Sequence, residues 1–578
     1  MNAEQLLAAY ERISEAPDAI ARLRRFVLDL AVRGKLVEQD PADEPASVLL
    51  KKIDAEKAII LKATGMRKPR QAPEMNPSDI PFSLPRGWSW TQISDLGFIS
   101  PRNDAPDAEM ASFVPMPMIS AEYGIANEHE PRSWGEIKKG YTHFAEGDVG
   151  LAKITPCFEN GKSTVFRGLT GGFGSGTTEL HILRPVQVCP DFVVLFLKSP
   201  HYIETGIPRM TGTAGQKRVP TEYFTSSPFP LPPLAEQHRI VAKVDELMAL
   251  CDRLEEARKT REETRDRLAA ASLARLTAPD TTAEDFPAHA RFALEALPSL
   301  TTRPDQIKPL RQTILNLAVR GKLVAQDPEE EPASELLNKI QALRKALAAN
   351  EGVRKKKPVE LLADMDALGL PVNWAADAFA NLIDPRATIS YGVLVPGPDV
   401  EEGIPFVRAQ DLMLDGHPDR PSKTIAPEVE EKYLRTRLSG GEILLCVVGS
   451  IGKLGVAPSH WAGANIARAV ARISPVDLVH RGYLLLFLRS DLAQGYFEEA
   501  TRTLAQPTLN VGLIEKLPVP LPPLAEQHRI VAKVDALMAL CDRLEAALES
   551  ADTTRTRLLE ALLHDALAPA QDTLEAAE

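Results

Sequence analysis

The sequence is poor in the features that would give it a chemistry of its own. Its 578 residues hold five cysteines, Cys157, Cys189, Cys251, Cys446 and Cys541. They are odd in number, scattered, and form no CxxC pair, which argues for a reducing cytosol and against a disulfide framework or a zinc site. No apolar run approaches the roughly 18–20 residues that a membrane span needs. The opening MNAEQLLAAYERISEA is acidic and has no signal-peptide apolar core, so a cytoplasmic chain is expected. Gly161-Lys162-Ser163-Thr164 ends like a phosphate loop, but Pro156 stands where the first glycine of GxxxxGK[ST] belongs. A glycine-rich S-adenosylmethionine loop, an Asn-Pro-Pro-aromatic run and a nuclease carboxylate–lysine set are all missing. The expectation is a chain with no catalytic residue, no metal and no cofactor. Basic excess is missing too. The net charge is −12, which counts against nucleic-acid binding, since phosphate contact wants a basic face. One local exception is Arg209–Arg218, where Arg209, Lys217 and Arg218 occur with no acid between them.

What the sequence does have, it has twice. LPPLAEQHRIVAKVD at Leu231–Asp245 recurs letter for letter at Leu521–Asp535, and LMALCDRLE follows both copies after one intervening residue. Upstream, LAVRGKLV at Leu30–Val37 recurs at Leu317–Val324, and both copies run on into QDP and EPAS. The offset is 287 for the upstream pair and 290 for the downstream pair. The segments between them therefore differ by a net three residues, while their sequences have drifted apart. Gly147-Asp148-Val149 beside Gly441-Glu442-Ile443, and Phe196-Leu197-Lys198-Ser199 beside Phe487-Leu488-Arg489-Ser490, are the surviving echoes. Identical frames around different inserts suggest one kind of job done on two objects.

The fold class expected is mixed α/β (α+β), with a pseudo-two-fold internal repeat. Two similar loop-rich domains are joined and separated by long antiparallel coiled-coil helices. The boundaries read as 1–81, a helical region; 82–228, a first mixed domain; 229–276, a long helix; 277–306, a mobile linker rich in Pro, Thr, Asp and Ala; 307–371, the helical region again; 372–518, a second mixed domain; and 519–578, a second long helix. Pro-Pro pairs at 232–233 and 522–523 stop a strand and let a helix begin. Along the helices Ile240, Val244, Leu247, Cys251 and Leu254, and Ile530, Val534, Leu537, Cys541 and Leu544, step by four and three as a coiled-coil seam. About 40 residues make a rod roughly 60 Å long. Its expected partners are the shorter amphipathic segments after each EPAS, with Ser47 and Ser334 as N-caps. Gly34 and Gly321 are expected to close the short helices before them. Strands are expected at Trp88-Ser89-Trp90, Gly150–Ile154, Glu179–Leu183, Ile443–Val448 and Ala469–Ile473, and short helices at Asp191–Lys198 and Arg481–Arg489. Arg354-Lys355-Lys356-Lys357 reads as a solvated linker.

Several residues are candidates for contact with nucleic acid, each with a plainer alternative. In RMTGTAGQKR, Arg209, Thr211, Thr213, Gln216, Lys217 and Arg218 combine cations, hydroxyls and an amide around Gly212 and Gly215. A glycine-containing loop lets backbone N–H groups approach phosphates, while Arg and Gln suit base edges. An ordinary polar surface loop would look the same. Arg502, Gln506 and Thr508 form the counterpart, and Arg408 and Gln410 join them. Thr177, Thr178 and His181 either face DNA or alternate along a strand. Lys153, Lys453 and Arg468 sit near strand ends, where phosphate binding and solvent exposure are equally compatible with the sequence. His238 and His528 have no triad or metal partner, so capping or packing at the helix start is expected. Glu236-Gln237 and Glu526-Gln527 suit the positive end of the helix dipole, with an outward face that a partner protein would cover. Cys251 and Cys541 behave as small apolar seam residues.

LPPLAEQHRIV after a strand and before a long helix, together with AVRGKLV and QDP…EPAS, resembles the specificity subunit of type I restriction–modification enzymes. TTELHILRP at Thr177–Pro185, MTGTAGQKRVP at Met210–Pro220, GSIGK at Gly449–Lys453, NIARAVARI at Asn465–Ile473 and QPTLNV at Gln506–Val511 resemble parts of its recognition domains. The resemblance covers nearly the whole chain. It implies that each mixed domain reads one half of a bipartite, asymmetric duplex DNA target. It implies that the helices set the half-site spacing and dock two methylation subunits, and through them the restriction subunits, with no membrane involved. S-adenosylmethionine, ATP and Mg would then belong to the partner subunits. A coiled-coil scaffold carrying two inserts for ligands other than DNA is the alternative, and it predicts no salt-sensitive DNA binding.

Overall fold

The computed structural model describes residues 15–64, 75, 80–213, 215–278, 280–282, 284–350, 358–360, 369–502 and 508–567. Arg354–Lys357 lie outside the described residues. Mixed helix and sheet are arranged in two compact units: Met1–Thr260 with Asp552–Glu578, and Arg261–Ala551. No helix among the described residues is long and apolar enough to cross a membrane.

The first unit opens with the helix Ala19–Val32. Gly34 ends it at φ +65°, while the Lys35 N–H donates back to the Leu30 carbonyl at 3.0 Å. This is the left-handed turn that glycine permits at low cost. The second helix runs over Ala46–Thr64. Ser47 is not its N-cap. The helix already begins at Ala46, whose N–H donates to the Gly87 carbonyl at 2.9 Å. A peptide carbonyl thus does the work that a serine hydroxyl was expected to do.

The chain then enters the mixed domain through β1 (Ser89–Gln92) and leaves it through β10 (Pro228–Leu231). The two pair antiparallel, Ser89 opposite Leu231 and Gln92 opposite Pro228. Pro228 and Pro230 fall at alternate positions, so their missing N–H groups can share one side of an edge strand. Between these strands lie two four-stranded sheets. One orders β2 (Gly97–Ile99), β9 (Leu180–Pro185), β6 (Val149–Ala152) and β7 (Ser163–Val165), all antiparallel. The other orders β4 (Glu130–Ser133), β3 (Met110–Val114), β8 (Phe173–Gly176) and β5 (Thr142–Ala145), with β3 and β8 parallel. The helix Pro190–Lys198 covers the first sheet with Phe192 and Phe196.

After Pro232-Pro233 the helix Leu234–Thr277 begins. Ile240, Val244 and Met248 share one core with Val27, Leu28 and Ala31 and with Trp88, Phe192 and Phe229. Each such buried side chain contributes about 1.5–3 kcal/mol. Leu247 and Leu254 are half-buried, and Cys251 is buried. Leu49 and Ile53 of the helix after EPAS lie in this core too, and the seam also pairs with the helix before Gly34. Arg24 confirms the pairing with ion pairs to Asp252 (2.6 Å) and Glu255 (2.7 Å). The last stretch of the second long helix also belongs to this unit, with Leu559 buried against Ala16 and Ala19.

The second unit repeats the plan. Gly321 has φ +68°, and Lys322 N–H returns to Leu317 O at 3.1 Å. The helix Ala333–Asn350 starts before Ser334, with the Ala333 N–H on the Asn373 carbonyl at 2.9 Å. β11 (Ala375–Ala378) pairs with β19 (Pro518–Leu521) in the register of the first unit, Ala375 opposite Leu521. The main sheet orders β12 (Ser390–Tyr391), β18 (Val470–Ile473), β15 (Ile443–Cys446) and β16 (Leu454–Val456). The smaller sheet orders β14 (Lys423–Ile425), β13 (Ile404–Val407) and β17 (Asn465–Ile466), with β13 and β17 parallel. The helix Arg481–Arg489 falls where it was expected. The helix Leu524–Leu567 buries Ile530, Val534 and Cys541 against Ile307, Ile314 and Leu315 of the helix Ile307–Ala318, with Leu537 and Leu544 half-buried beside them. Arg311 bridges Asp542 and Glu545, both at 2.7 Å.

The stretch read as a mobile linker at 277–306 is largely ordered. It contains the helix Phe286–Leu300. Ala293 is buried with Leu276 and Leu317, and Phe286 packs beside them. Its Pro, Thr and Asp content misled because these residues sit at the helix ends. Thr282 and Asp285 bond one another before the first turn, and Pro287 lies within that turn, where it is tolerated.

Candidate nucleic-acid interface

Strand direction sorts the candidate residues. In the first unit β2 and β6 end, and β7 and β9 begin, at one end of the main sheet. Ile99 lies opposite Leu183, Leu151 opposite Ser163, and Ala152 opposite Leu180. The opposite end meets β1, β10 and the long helix. At the free end Lys153 N–H donates to the Glu179 carbonyl at 3.0 Å, and the Lys153 carbonyl accepts from Val219 at 2.8 Å. Thr177 and Thr178 precede β9 there. The segment Arg209–Arg218 folds into a small hairpin at the same end. Thr211 and Arg218 exchange backbone hydrogen bonds of 3.0 and 2.8 Å, and Thr155 N–H donates to the Lys217 carbonyl at 2.9 Å. Gly212 needs its glycine: φ is +124°, and a Cβ would lie 2.9 Å from the Gln216 carbonyl oxygen. Arg209, Thr211, Thr213, Gln216 and Lys217 are all exposed.

Two of the expected residues read differently in the structure. Arg218 is bonded to both carboxylate oxygens of Glu179, at 2.9 Å each. This ion pair holds the Glu179 carboxyl below its usual range and offsets one charge of the basic segment. His181 does not face solvent. It is buried, with Nε2 3.1 Å from the Val219 carbonyl and its ring stacked on Phe224 at 5.1 Å. Burial lowers its pKa to about 4. It alternates into the core along β9, which removes it from any ligand-facing set.

The second unit places its candidates at the same end of the corresponding sheet. β12 and β15 end there, and β16 and β18 begin, with Tyr391 opposite Ala471, Cys446 opposite Val470, and Leu445 opposite Leu454. Arg468 is exposed, its N–H on the Val393 carbonyl at 3.0 Å. Thr508 bridges Val448, and Arg502 is exposed just after the helix Asp491–Thr501. Gln506 lies outside the described residues. Lys453 is tied inward: its ammonium donates to the Ala409 (3.1 Å) and Gln410 (3.3 Å) carbonyls. Lys162, in the matching hairpin of the first unit, donates to the Met116 carbonyl at 3.3 Å. Each lysine stitches a hairpin to the turn after β3 or β13, which is also what the phosphate-loop look-alike does. Arg408 is bonded to Asp411 and Ser422, and Gln410 is exposed. Missed by sequence reading were Leu394 and Val395, 56% and 71% exposed at this end. Their signal was an aliphatic run inside the Gly- and Pro-rich stretch at 392–398.

The repeated motif lies at the opposite end and faces inward. Gln237 is buried. Its Oε1 accepts from Cys189 N–H at 2.9 Å, and its Nε2 donates to the Pro232 carbonyl at 3.0 Å. Gln527 repeats both bonds with His480 N–H (2.8 Å) and the Pro522 carbonyl (2.9 Å). Each glutamine therefore ties the start of a long helix to the mixed domain beside it. Glu236 accepts from Gln39 at 3.1 Å, and Glu526 from Gln326 (2.7 Å) and the Trp374 indole (3.0 Å). Burial raises both carboxyls. These residues do not present an outward docking face. His238 and His528 are both exposed, and the His528 ring packs edge-on against that of His480 at 4.3 Å.

The second repeat receives the far ends of these helices. In the first unit the Lys35 ammonium donates to the Leu567 carbonyl at 3.0 Å. In the second, Arg320 donates to the Thr277 carbonyl at 2.7 Å and Lys322 to the Thr281 carbonyl at 3.3 Å. Cations at a helix C-terminus satisfy its last carbonyls and its dipole.

Residues 398–551 match the type I restriction modification DNA specificity domain. The chain is 37% identical over 559 residues to the type I restriction enzyme EcoEI specificity subunit of Escherichia coli, covering 95% of this chain and 94% of that protein. It is 36% identical to the EcoAI specificity subunit of Escherichia coli, with the same coverage. Among solved structures, the HsdS subunit from Thermoanaerobacter tengcongensis aligns with 84% of this chain and 98% of its own, at 21% identity and a TM-score of 0.44. With more than a third of residues identical along nearly the full length of both proteins, the chain belongs to the specificity subunits of type I restriction enzymes, the DNA-recognising and non-catalytic component of those systems.

Proposed function

We propose that each mixed domain, 82–228 and 372–518, reads one half of a bipartite, asymmetric duplex DNA target through the free end of its main sheet. The carrying observation is the sorting of residues along the strands. Exposed Arg209, Thr211, Thr213, Gln216 and Lys217 in one unit, and exposed Arg468 and Arg502 with half-buried Thr508 in the other, gather away from the repeated frame. Side chains of these types suit phosphate oxygens and base edges. The frames are alike while these faces differ, which fits two unlike half-sites. The helical regions at 1–81, 229–276, 307–371 and 519–578, with the joining segment 277–306, act as frame and spacer. They dock two methylation subunits, and through these the restriction subunits. S-adenosylmethionine, ATP and Mg serve chemistry in those partners, and the assembly works in the cytoplasm.

Each insert begins and ends in one paired ribbon, β1 with β10 and β11 with β19. A ribbon of this kind holds the two ends of an insert together whatever lies between. The test is to co-express the chain with a cognate methylation subunit and map methylated bases across the host genome. The expected result is a split, asymmetric motif. Replacing residues 82–227 with another recognition domain should change only one half of it. A change in both halves, or a continuous motif, overturns the proposal.

A further inference from the structure

The loop after β12 carries an apolar tip that the frame does not need. Val393 is buried and bridges Ala467, its N–H on the Ile466 carbonyl at 2.8 Å. Asp399 pins the other leg, accepting from the Thr424 N–H at 2.9 Å and its hydroxyl at 2.7 Å. Between these anchors Leu394 and Val395 are 56% and 71% exposed. Pro396 and Pro398 flank Gly397, whose φ is +72°, so the tip is stiff as well as held at both ends. A lone exposed aliphatic residue means little. Two in succession on a loop pinned at both legs, and more exposed than the neighbouring Met413 and Leu414 at 41% and 39%, call for a ligand with an apolar feature.

The neighbours say what that ligand is. Arg468, whose N–H is held by the Val393 carbonyl, is exposed and has no ion-pair partner among the described residues. Thr508 lies nearby through Leu509, whose carbonyl accepts from the Tyr391 hydroxyl at 2.8 Å. An apolar pair beside a free guanidinium matches the major-groove edge of DNA, where the thymine C5-methyl is the apolar feature among polar base edges. The first unit differs at the same place. There the loop after β2 runs Pro101-Arg102-Asn103-Asp104-Ala105, with the Asn103 amide donating to the Phe144 carbonyl at 2.7 Å, and it carries no pair of successive aliphatic residues.

We infer that Leu394 and Val395 read a thymine methyl group in the half-site bound by the second domain, beside a phosphate or base edge held by Arg468. This rests on the DNA-reading function proposed above, and it makes the two domains chemically unlike at matching loops.

The test uses the complex of the full chain with its methylation subunit on duplexes carrying the mapped motif. Each thymine of the second half-site, on either strand, is replaced in turn by uracil, which lacks only the methyl. One replacement should weaken binding about three- to tenfold, in line with loss of one well-packed methyl contact. The variant L394S/V395S should bind the thymine duplex about equally weakly and no longer distinguish uracil. L394I should still distinguish it. The substituted side chains are at the surface, so a thermal melt should match that of the parent. Uracil without effect at every position, a half-site with no thymine, or a double variant that still senses uracil would each overturn the inference. So would a double variant whose only defect is failure to hold the methylation subunit. A complex that shows no sequence-specific binding at all would instead sink the underlying DNA-reading proposal.

Discussion

His181 shows how one residue changes meaning between sequence and structure. In TTELHILRP it looks available to a ligand, yet it is buried between Val219 and Phe224 and its pKa is lowered to about 4. It is neutral in the folded protein at pH values where the unfolded chain takes up a proton. Stability tied to this group is therefore fully present above about pH 6.5 and is lost as pH falls toward 4. At about 1.4 kcal/mol per pH unit, the loss over that window is on the order of 3 kcal/mol. Denaturant melts from pH 7 to pH 4 should show this component in the parent and its absence in His181→Phe. Equal pH slopes for the two proteins would contradict it. Lys198 is buried as well, its ammonium donating to the Ser120, Ala121 and Gly161 carbonyls inside the first unit.

At the scale of elements, the repeated words are joints. The Gly34 and Gly321 turns each sit against a proline and a tryptophan of the segment leading into the mixed domain. A Cβ at Gly34 would lie 2.4 Å from Pro85 Cγ, and one at Gly321 would lie 2.3 Å from Pro371 Cγ. Both positions also have positive φ. Gly321→Ala should therefore cost about 2–4 kcal/mol, combining the left-handed penalty with overpacking. Gly495→Ala is the control. It lies in the helix Asp491–Thr501 with nothing within 4 Å of the new methyl, and should stabilise by about 0.5–1 kcal/mol. Thermal or urea melts that gave the two substitutions the same sign would contradict this account of the joint.

For the whole molecule, the two long helices are the elements whose length is fixed at both ends. Each has 44 residues, about 66 Å at 1.5 Å per residue. Gln237 and Gln527 hold the starts, and Lys35, Arg320 and Lys322 hold the ends or the residues just past them. Each helix begins in one unit and ends in the other. If they space the half-sites, inserting a heptad into each keeps the seam in phase and adds about 10 Å, up to about three base pairs. Methylation mapping should then return the same two half-sites with a wider gap. An unchanged gap would rule out the spacer role.

The sequence by itself determined the repeat, the apolar seam, the strands expected at 150–154 and 443–448, which form at 149–152 and 443–446, and the helix at 481–489. These are set by periodicity and by Gly and Pro, which act over a few residues. It also contained the family resemblance, because the frame motifs are long and occur twice. What it could not give was the direction in which a polar side chain points. Glu236, Gln237, Glu526 and Gln527 look like surface residues until the tertiary structure buries them against backbone N–H groups, a glutamine and an indole that lie far away in the chain. In the first unit the seam shares a core with both amphipathic helices, and in the second it packs on the helix before Gly321, a difference that only packing could decide. The segment at 277–306 became a helix because Leu276 and Leu317 offered it an apolar surface. Local pattern fixed which elements form. Burial, which depends on residues far apart in sequence, decided which of their polar groups hold the frame and which remain exposed.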